Sequence, residues 1–288
     1  NHGVDQAVID AAWTATTTFF DLPIADKMTV AMPFAGYPYG YAPMQGERLA
    51  ASLGDDTPPD LKETFSMGPI DRPTVAPTDP AEAFVYEATP WPSALPELQP
   101  ALEAYYNAMA DLVVRLMALC AEALDLPHDY FDSRIDRHTS ALRLLNYPAL
   151  LEPAAAGQLR AGAHTDYGTV TILRGDAAPG GLEVLVPAST GNRWTAVPMP
   201  PHSFVINLGD AMARWTNDRW RSTLHRVVTP PHDVAATARR QSIAFFHNAN
   251  WDAVIDCIPT CLGAGEAPRY APVTAGEHLM SKFQATQH

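Results

Sequence analysis

The chain has 288 residues, 47% of them hydrophobic, with 19 Lys and Arg against 32 Asp and Glu for a formal charge of −13. That length and apolar content bury a sizeable core, in one large domain or two small ones. So negative a surface repels phosphate backbones, which argues against nucleic acid as a partner, and no apolar run is long enough for a bilayer-spanning helix.

The first third reads as helical and irregular. Val8, Ile9, Ala12, Trp13, Thr16, Phe19 and Phe20 recur at helical spacing, and LPIADKMTV suggests a second helix. Residues 33–60 are rich in Gly, Pro and Tyr and read as one long loop, a length that is commonly functional. Residues 71–97 carry many prolines and read as irregular. The clearest helix follows: Leu98, Leu102, Tyr105, Met109, Leu112, Leu116 and Leu124 keep the 3.6-residue period, with Pro127 as the expected stop.

From about residue 138 the period changes to two. TSALRLLNY, TVTILR, LEVLVP, WTAVP, SFVINL, LHRVVT, RQSIAFF and AVIDCI are short β-rich runs separated by turn residues, the pattern of a sandwich or barrel. The expected class is α+β with a mainly β core. The expected division is a helical and irregular region over 1–137 packing on a β core over 138–288, as one structural unit.

Cys120, Cys257 and Cys261 are an odd number in a long chain, which suits free thiols better than a disulfide framework. No signal peptide is visible, and the location expected is cytoplasmic. Cys257 and Cys261 have no second pair to complete a zinc clip. The chain opens NHGV without a Met, as a processed or truncated start would.

Chemistry gathers in the second half. In AHTDYGTVTIL, His164 and Asp166 stand at i and i+2, so on a strand both point to one face. H-x-D alone also fits a capped strand end. His225, in the strand-like TLHRVVT, adds a third donor, and two His with one carboxylate match the facial triad of non-haem Fe(II) oxygenases. Zinc accepts the same donors. Arg240 and Ser242, in RRQSIAFF, again share one face. A guanidinium beside a hydroxyl in an apolar strand needs an anionic partner, either a carboxylate ligand or one of the chain's own acids. Arg239 points the other way and reads as an ordinary ion pair.

GAHTDYGTVTIL, FVINLGDAMARWTNDRWRSTLHRVV and RQSIAFF resemble the Fe(II)/2-oxoglutarate-dependent dioxygenases of the isopenicillin N synthase-like family. NHGV, LRLLNYP and PPDLKETFSMGP extend the resemblance over nearly the whole chain. It implies a double-stranded β-helix (jelly roll) with a helical N-terminal region. It implies Fe(II) on His164, Asp166 and His225, and 2-oxoglutarate held by Arg240, Ser242 and Tyr147, with O2 as co-substrate. It further implies hydroxylation, desaturation or ring closure of a small organic molecule, with succinate and CO2 as co-products. Tyr37, Tyr39, Tyr41 and Phe246 are the candidates for lining a substrate pocket.

Several features depart from the family pattern. NHGV usually follows an N-terminal strand, so an upstream segment is expected. Leu145 stands where many plant members have Asn. The stretch between His225 and Arg240 is long and suggests an extended hairpin, with His232 and Asp233 facing solvent. Two other functions compete: an oxidase of the same fold that uses no 2-oxo acid and grips its substrate's carboxylate with Arg240 and Ser242, and a non-catalytic metal-binding domain.

Overall fold

Two helices lay their apolar stripes against one face of an antiparallel sheet, which leaves the opposite face for chemistry. In the computed structural model, which describes residues 2–34, 36–54, 57–187 and 191–286, the helices are α1 (Gln6–Asp21), α2 (Ile24–Met28), α3 (Pro80–Val85), α4 (Leu98–Ala123), α5 (Asp132–Ile135), α6 (Asp210–Trp215), α7 (His232–Ala235) and α8 (Ala275–Thr286). The strands are β1 (Gly40–Ala42), β2 (Glu63–Met67), β3 (Ala141–Tyr147), β4 (Ala161–His164), β5 (Val170–Gly175), β6 (Leu182–Val186), β7 (Arg193–Ala196), β8 (Val205–Leu208), β9 (His225–Val227), β10 (Arg240–His247), β11 (Val254–Ile255) and β12 (Val273–Thr274).

α1 starts where the Asp5 carboxylate accepts from the Ala7 amide at 2.9 Å, an N-cap. It buries Ile9, Ala12, Thr16, Phe19 and Phe20, most of the predicted stripe. α4 buries Leu98, Leu102, Tyr105, Met109 and Leu112 at the predicted spacing. It ends at Ala123, ahead of Pro127, because Asp125 turns left-handed (φ 56°) and the Leu124 amide closes onto the last carbonyls. The proline-rich stretch also holds more order than its composition suggests. Asp79 caps α3 by accepting from Ala81 at 2.9 Å, with Pro80 in the first turn where its missing N–H is harmless.

The strands form a six-stranded sheet in the order β1-β2-β3-β10-β5-β8 and a four-stranded sheet in the order β4-β9-β6-β7. In the larger sheet Leu142, Leu144, Ile172, Ile243 and Phe245 point into the core shared with α1 and α4. Each such side chain contributes about 1.5–3 kcal/mol on burial. The alternate residues Arg143, Leu145, Tyr147, Arg240, Ser242, Ala244 and Phe246 face a cavity of 690 Å³ that the smaller sheet closes from the other side. The core is a jelly roll.

The expected hairpin between His225 and Arg240 does not form. β9 pairs with β4 and β6, whereas β10 pairs with β3 and β5, so the segment crosses between sheets and carries α7 on the way. AVIDCI yields only the two-residue β11, paired with β12.

Candidate active site

His164 is the last residue of β4, and His225 the first of β9. The register between these strands slips by one: Ala161 opposes Val227, yet His164 opposes His225. This bulge sets the two imidazoles against each other, with ring centroids 4.3 Å apart. Asp166 is not on the strand, contrary to the expectation of a shared strand face. It lies on the loop beyond β4, and that loop is drawn in by close backbone packing. The Asp210 amide donates to the Asp166 carbonyl at 2.8 Å, and the Gly209 amide to Thr169 at 2.9 Å. A Cβ on Gly209 would sit 2.3 Å from the Gly168 carbonyl oxygen, and one on Gly168 2.2 Å from that of His247, so both positions require glycine. The candidate donor atoms of His164, Asp166 and His225 all lie within 4.8 Å of one another.

The surroundings prepare these donors. His164 Nδ1 lies 2.7 Å from the Gly162 carbonyl and His225 Nδ1 2.9 Å from that of Thr223, so each Nδ1 carries the proton and each Nε2 keeps its lone pair for the centre. Burial, helped by the neighbouring His225, pushes the His164 imidazole down to about 3, so it is neutral. Burial alone would raise the Asp166 carboxyl. The His225 and His164 imidazoles and hydrogen bonds from Asn207 and Thr171 outweigh it and hold the group below its ordinary value. Asn207 Nδ2 donates to Asp166 Oδ2 at 2.6 Å, which leaves Oδ1 facing His225 Nε2 at 3.7 Å.

On the facing wall of the cavity, β10 presents Arg240 directly opposite Tyr147 of β3, the guanidinium 5.2 Å from the centre of the Tyr147 ring. Gly175, paired with Ser242, leaves the room: its Cβ would meet Arg240 Nη2 at 3.3 Å. Arg240 is 1% exposed, and its Nε, Nη1 and Nη2 have no hydrogen-bond partner among the described residues. A buried cation without a counter-charge is costly, so the site calls for an anion from outside the chain.

Comparison with known proteins agrees with this geometry. Residues 138–249 match the 2OG-Fe(II) oxygenase superfamily, and residues 1–94 match the N-terminal region described for a non-haem dioxygenase in morphine synthesis. Validamycin A dioxygenase of Streptomyces hygroscopicus subsp. limoneus is 33% identical over 286 residues, covering 98% of this chain and 75% of that one. The chain belongs to the 2OG-Fe(II) oxygenase superfamily. The proline hydroxylase buaE of Petromyces alliaceus is 31% identical over 295 residues, covering 99% and 88% of the two chains. A full-length Neurospora crassa protein crystallised with alpha-KG (2-oxoglutarate) and thymine superposes with a TM-score of 0.81 at 29% identity, covering 99% and 85%.

This oxygenase is thus an Fe(II)/2-oxoglutarate-dependent dioxygenase, and its residues fit both groups: two imidazoles and a carboxylate for the metal, and a guanidinium without a hydrogen-bond partner among the described residues for the dianion. Tyr37, Tyr39 and Phe246 line the cavity, with the Tyr37 and Tyr39 hydroxyls donating to the carbonyls of Ala88 (2.7 Å) and Val85 (2.6 Å). Tyr41 does not line it. Its ring packs edge-on against Phe19 in the N-terminal core, and its hydroxyl is bonded to Glu63, which also binds Lys27 and Asn146. Arg239 pairs with Asp21 and donates to Asn146, as an outward-facing arginine should. His232 and Asp233 are exposed.

Sequence reading passed over Asn207, Arg143 and the charged residues of the first third. Arg143 had a usable signal, since alternation along LRLLNY puts it on the Tyr147 face. Glu47, Asp60 and Lys62 had none: they meet Arg143 only through the fold. Among the described residues no helix is long and apolar enough to cross a membrane.

Proposed function

We propose that this oxygenase oxidises a C–H bond of a small polar organic molecule by hydroxylation, desaturation or ring closure, with 2-oxoglutarate leaving as succinate and CO2. His164, Asp166 and His225 hold Fe(II), and Arg240, with Ser242 and Tyr147, holds the distal carboxylate of 2-oxoglutarate. The observation that carries the reading is the buried Arg240, without a hydrogen-bond partner among the described residues, in the cavity that the triad also lines.

Bound Fe(II) would supply O2 activation, with two of the four electrons coming from 2-oxoglutarate as it loses CO2 and two from the oxidised substrate. The chain supplies position and exclusion. The Gly162 and Thr223 carbonyls fix the imidazole tautomers, Asn207 turns Asp166, and Arg240 fixes the reach of the dianion. The apolar wall of Leu145, Leu173, Leu182, Val205 and Val227 keeps water from the co-substrate end, which strengthens the Arg240–carboxylate pair. Tyr37, Tyr39, Phe84 and Phe283 line the same cavity and offer apolar contacts to a substrate. Relatives support a small-molecule substrate: thymine occupies the Neurospora protein, and a proline hydroxylase is among those similar in sequence.

We also propose a cytoplasmic location, on three free thiols, and no nucleic-acid partner, on the charge of −13. The test of the function is succinate release from 2-oxoglutarate under Fe(II), ascorbate and air across a small-molecule library, with product mass separating gain of oxygen from loss of two hydrogens. Full turnover without 2-oxoglutarate would overturn the reading.

A further inference from the structure

Four charged side chains form a network along the larger sheet's cavity wall, from Lys62, which follows the β2–β3 register to a place opposite Tyr147, out to Arg143. β3 carries Arg143 four residues before Tyr147 on the same face, which sets it about 13 Å along the sheet from the Arg240 row. Arg143 Nε donates to Ser66 on β2 at 3.0 Å, and Nη1 reaches the Glu47 carboxylate at 3.1 Å. Its Nη2 has no partner among the described residues. Glu47 Oε2 lies 3.2 Å from Lys62 Nζ, which is 2.7 Å from Asp60 Oδ2. The amides of Gly162 (2.9 Å) and Leu49 (3.2 Å) donate to Asp60 and lock it in place.

Burial divides this quartet. The Lys62 and Asp60 side chains are each 2% exposed and form a fixed back layer. Glu47 (23%) and Arg143 (28%) open onto the cavity. Two cations face two anions, so the charge is already balanced. A ligand bringing a net charge here would leave one charge uncompensated in a poorly solvated place, which is expensive. A neutral group that offers a hydrogen-bond donor beside an acceptor meets Glu47 and Arg143 without disturbing the balance.

We propose that Glu47 and Arg143 are the substrate-recognition pair, and that they select a neutral molecule carrying an adjacent donor and acceptor, as an amide, lactam, imide or ureide does. This rests on the reading above that the substrate is oxidised beside His164, Asp166 and His225. Size suits it, since the cavity holds a small ring and 2-oxoglutarate together.

The test uses the full chain loaded with Mn(II), a redox-silent stand-in, and 2-oxoglutarate. Three five-membered rings are titrated by ligand-observed NMR: succinimide (neutral), cyclopentanecarboxylate (anionic) and cyclopentylamine (cationic). Succinimide should bind about tenfold or more tightly than either charged ring. Arg143→Met and Glu47→Gln should each weaken succinimide about tenfold; Arg143→Met should leave cyclopentylamine less disfavoured, and Glu47→Gln cyclopentanecarboxylate. Cyclopentanecarboxylate binding as tightly as succinimide, no succinimide binding at all, or succinimide binding untouched by both substitutions would each overturn the proposal. Binding of 2-oxoglutarate is read separately by tryptophan fluorescence in the same preparations. Its failure in the unsubstituted protein would count against the Arg240 and triad assignment instead.

Discussion

The two ends of the cavity handle buried charge in opposite ways. At one end Arg240 has three guanidinium nitrogens and no hydrogen-bond partner among the described residues. At the other, Arg143 pairs with Glu47, and that network runs back through Lys62 and Asp60 toward the Tyr147 row. The residue type and the sheet face are the same, and the consequence is reversed. An unbalanced charge selects a ligand of opposite charge, while a balanced one selects a ligand of none. Of the proposed metal donors, His164 and His225 sit on the facing sheet and Asp166 on the loop beyond β4.

The largest effect comes from removing the centre that both ends depend on. His225→Ala should abolish turnover, and anaerobic Fe(II) titration should show affinity lost. Retained iron binding and activity would dismiss the triad.

Arg240→Met comes next and acts on the unbalanced end alone. Half-saturation by 2-oxoglutarate should rise about a hundredfold or more, since removing one partner of a buried pair costs roughly 3–5 kcal/mol. The same substitution should raise the melting temperature of the protein free of 2-oxoglutarate, because it deletes an uncompensated charge. A lowered melting temperature there would mean that Arg240 is satisfied within the chain.

Asn207→Ala leaves all three donors present and releases Asp166 from its 2.6 Å hydrogen bond. Metal affinity should fall about tenfold or somewhat more, as for other partners that orient a ligand. A Kd for Mn(II) equal to that of the unsubstituted protein would show that the backbone contacts alone hold Asp166.

The smallest effect belongs to the balanced end. Burial would raise the Glu47 carboxyl, but Arg143 and Lys62 pull it from 4.5 down to about 2. A carboxyl depressed on folding contributes stability that is complete above its unfolded value and is lost as pH falls from about 4.5 toward about 2. Glu47→Gln should therefore flatten the fall in melting temperature across that window. Parallel curves for the two proteins would show that Glu47 carries no such coupling.

Legibility followed the range of the interactions. The α1 and α4 stripes, the strands of the second half and the alternation that puts Arg240, Ser242 and Phe246 on one face are local, and each can be read in a window of about ten residues. His164, Asp166 and His225 could be named because their residue types and motif survive in linear order. Their arrangement could not. The H-x-D spacing suggested one strand face, whereas Asp166 lies beyond the strand and is brought in by packing at Gly168 and Gly209. Tyr41 looked equivalent to Tyr37 and Tyr39, yet a buried carboxylate, Glu63, draws its hydroxyl into the core.

Residue types and periodicity by themselves determined the helices and the β core, because each depends on neighbours a few positions apart; they offered His164, Asp166, His225 and Arg240 as candidates, which the family resemblance joined into one proposed site. Only the tertiary structure decided that Arg240 is alone and Arg143 is not. Whether a buried charge is balanced depends on groups such as Glu47 and Lys62, which lie some 80 to 100 positions from Arg143 along the chain and join it in one network only in the folded chain, Glu47 touching both Arg143 and Lys62.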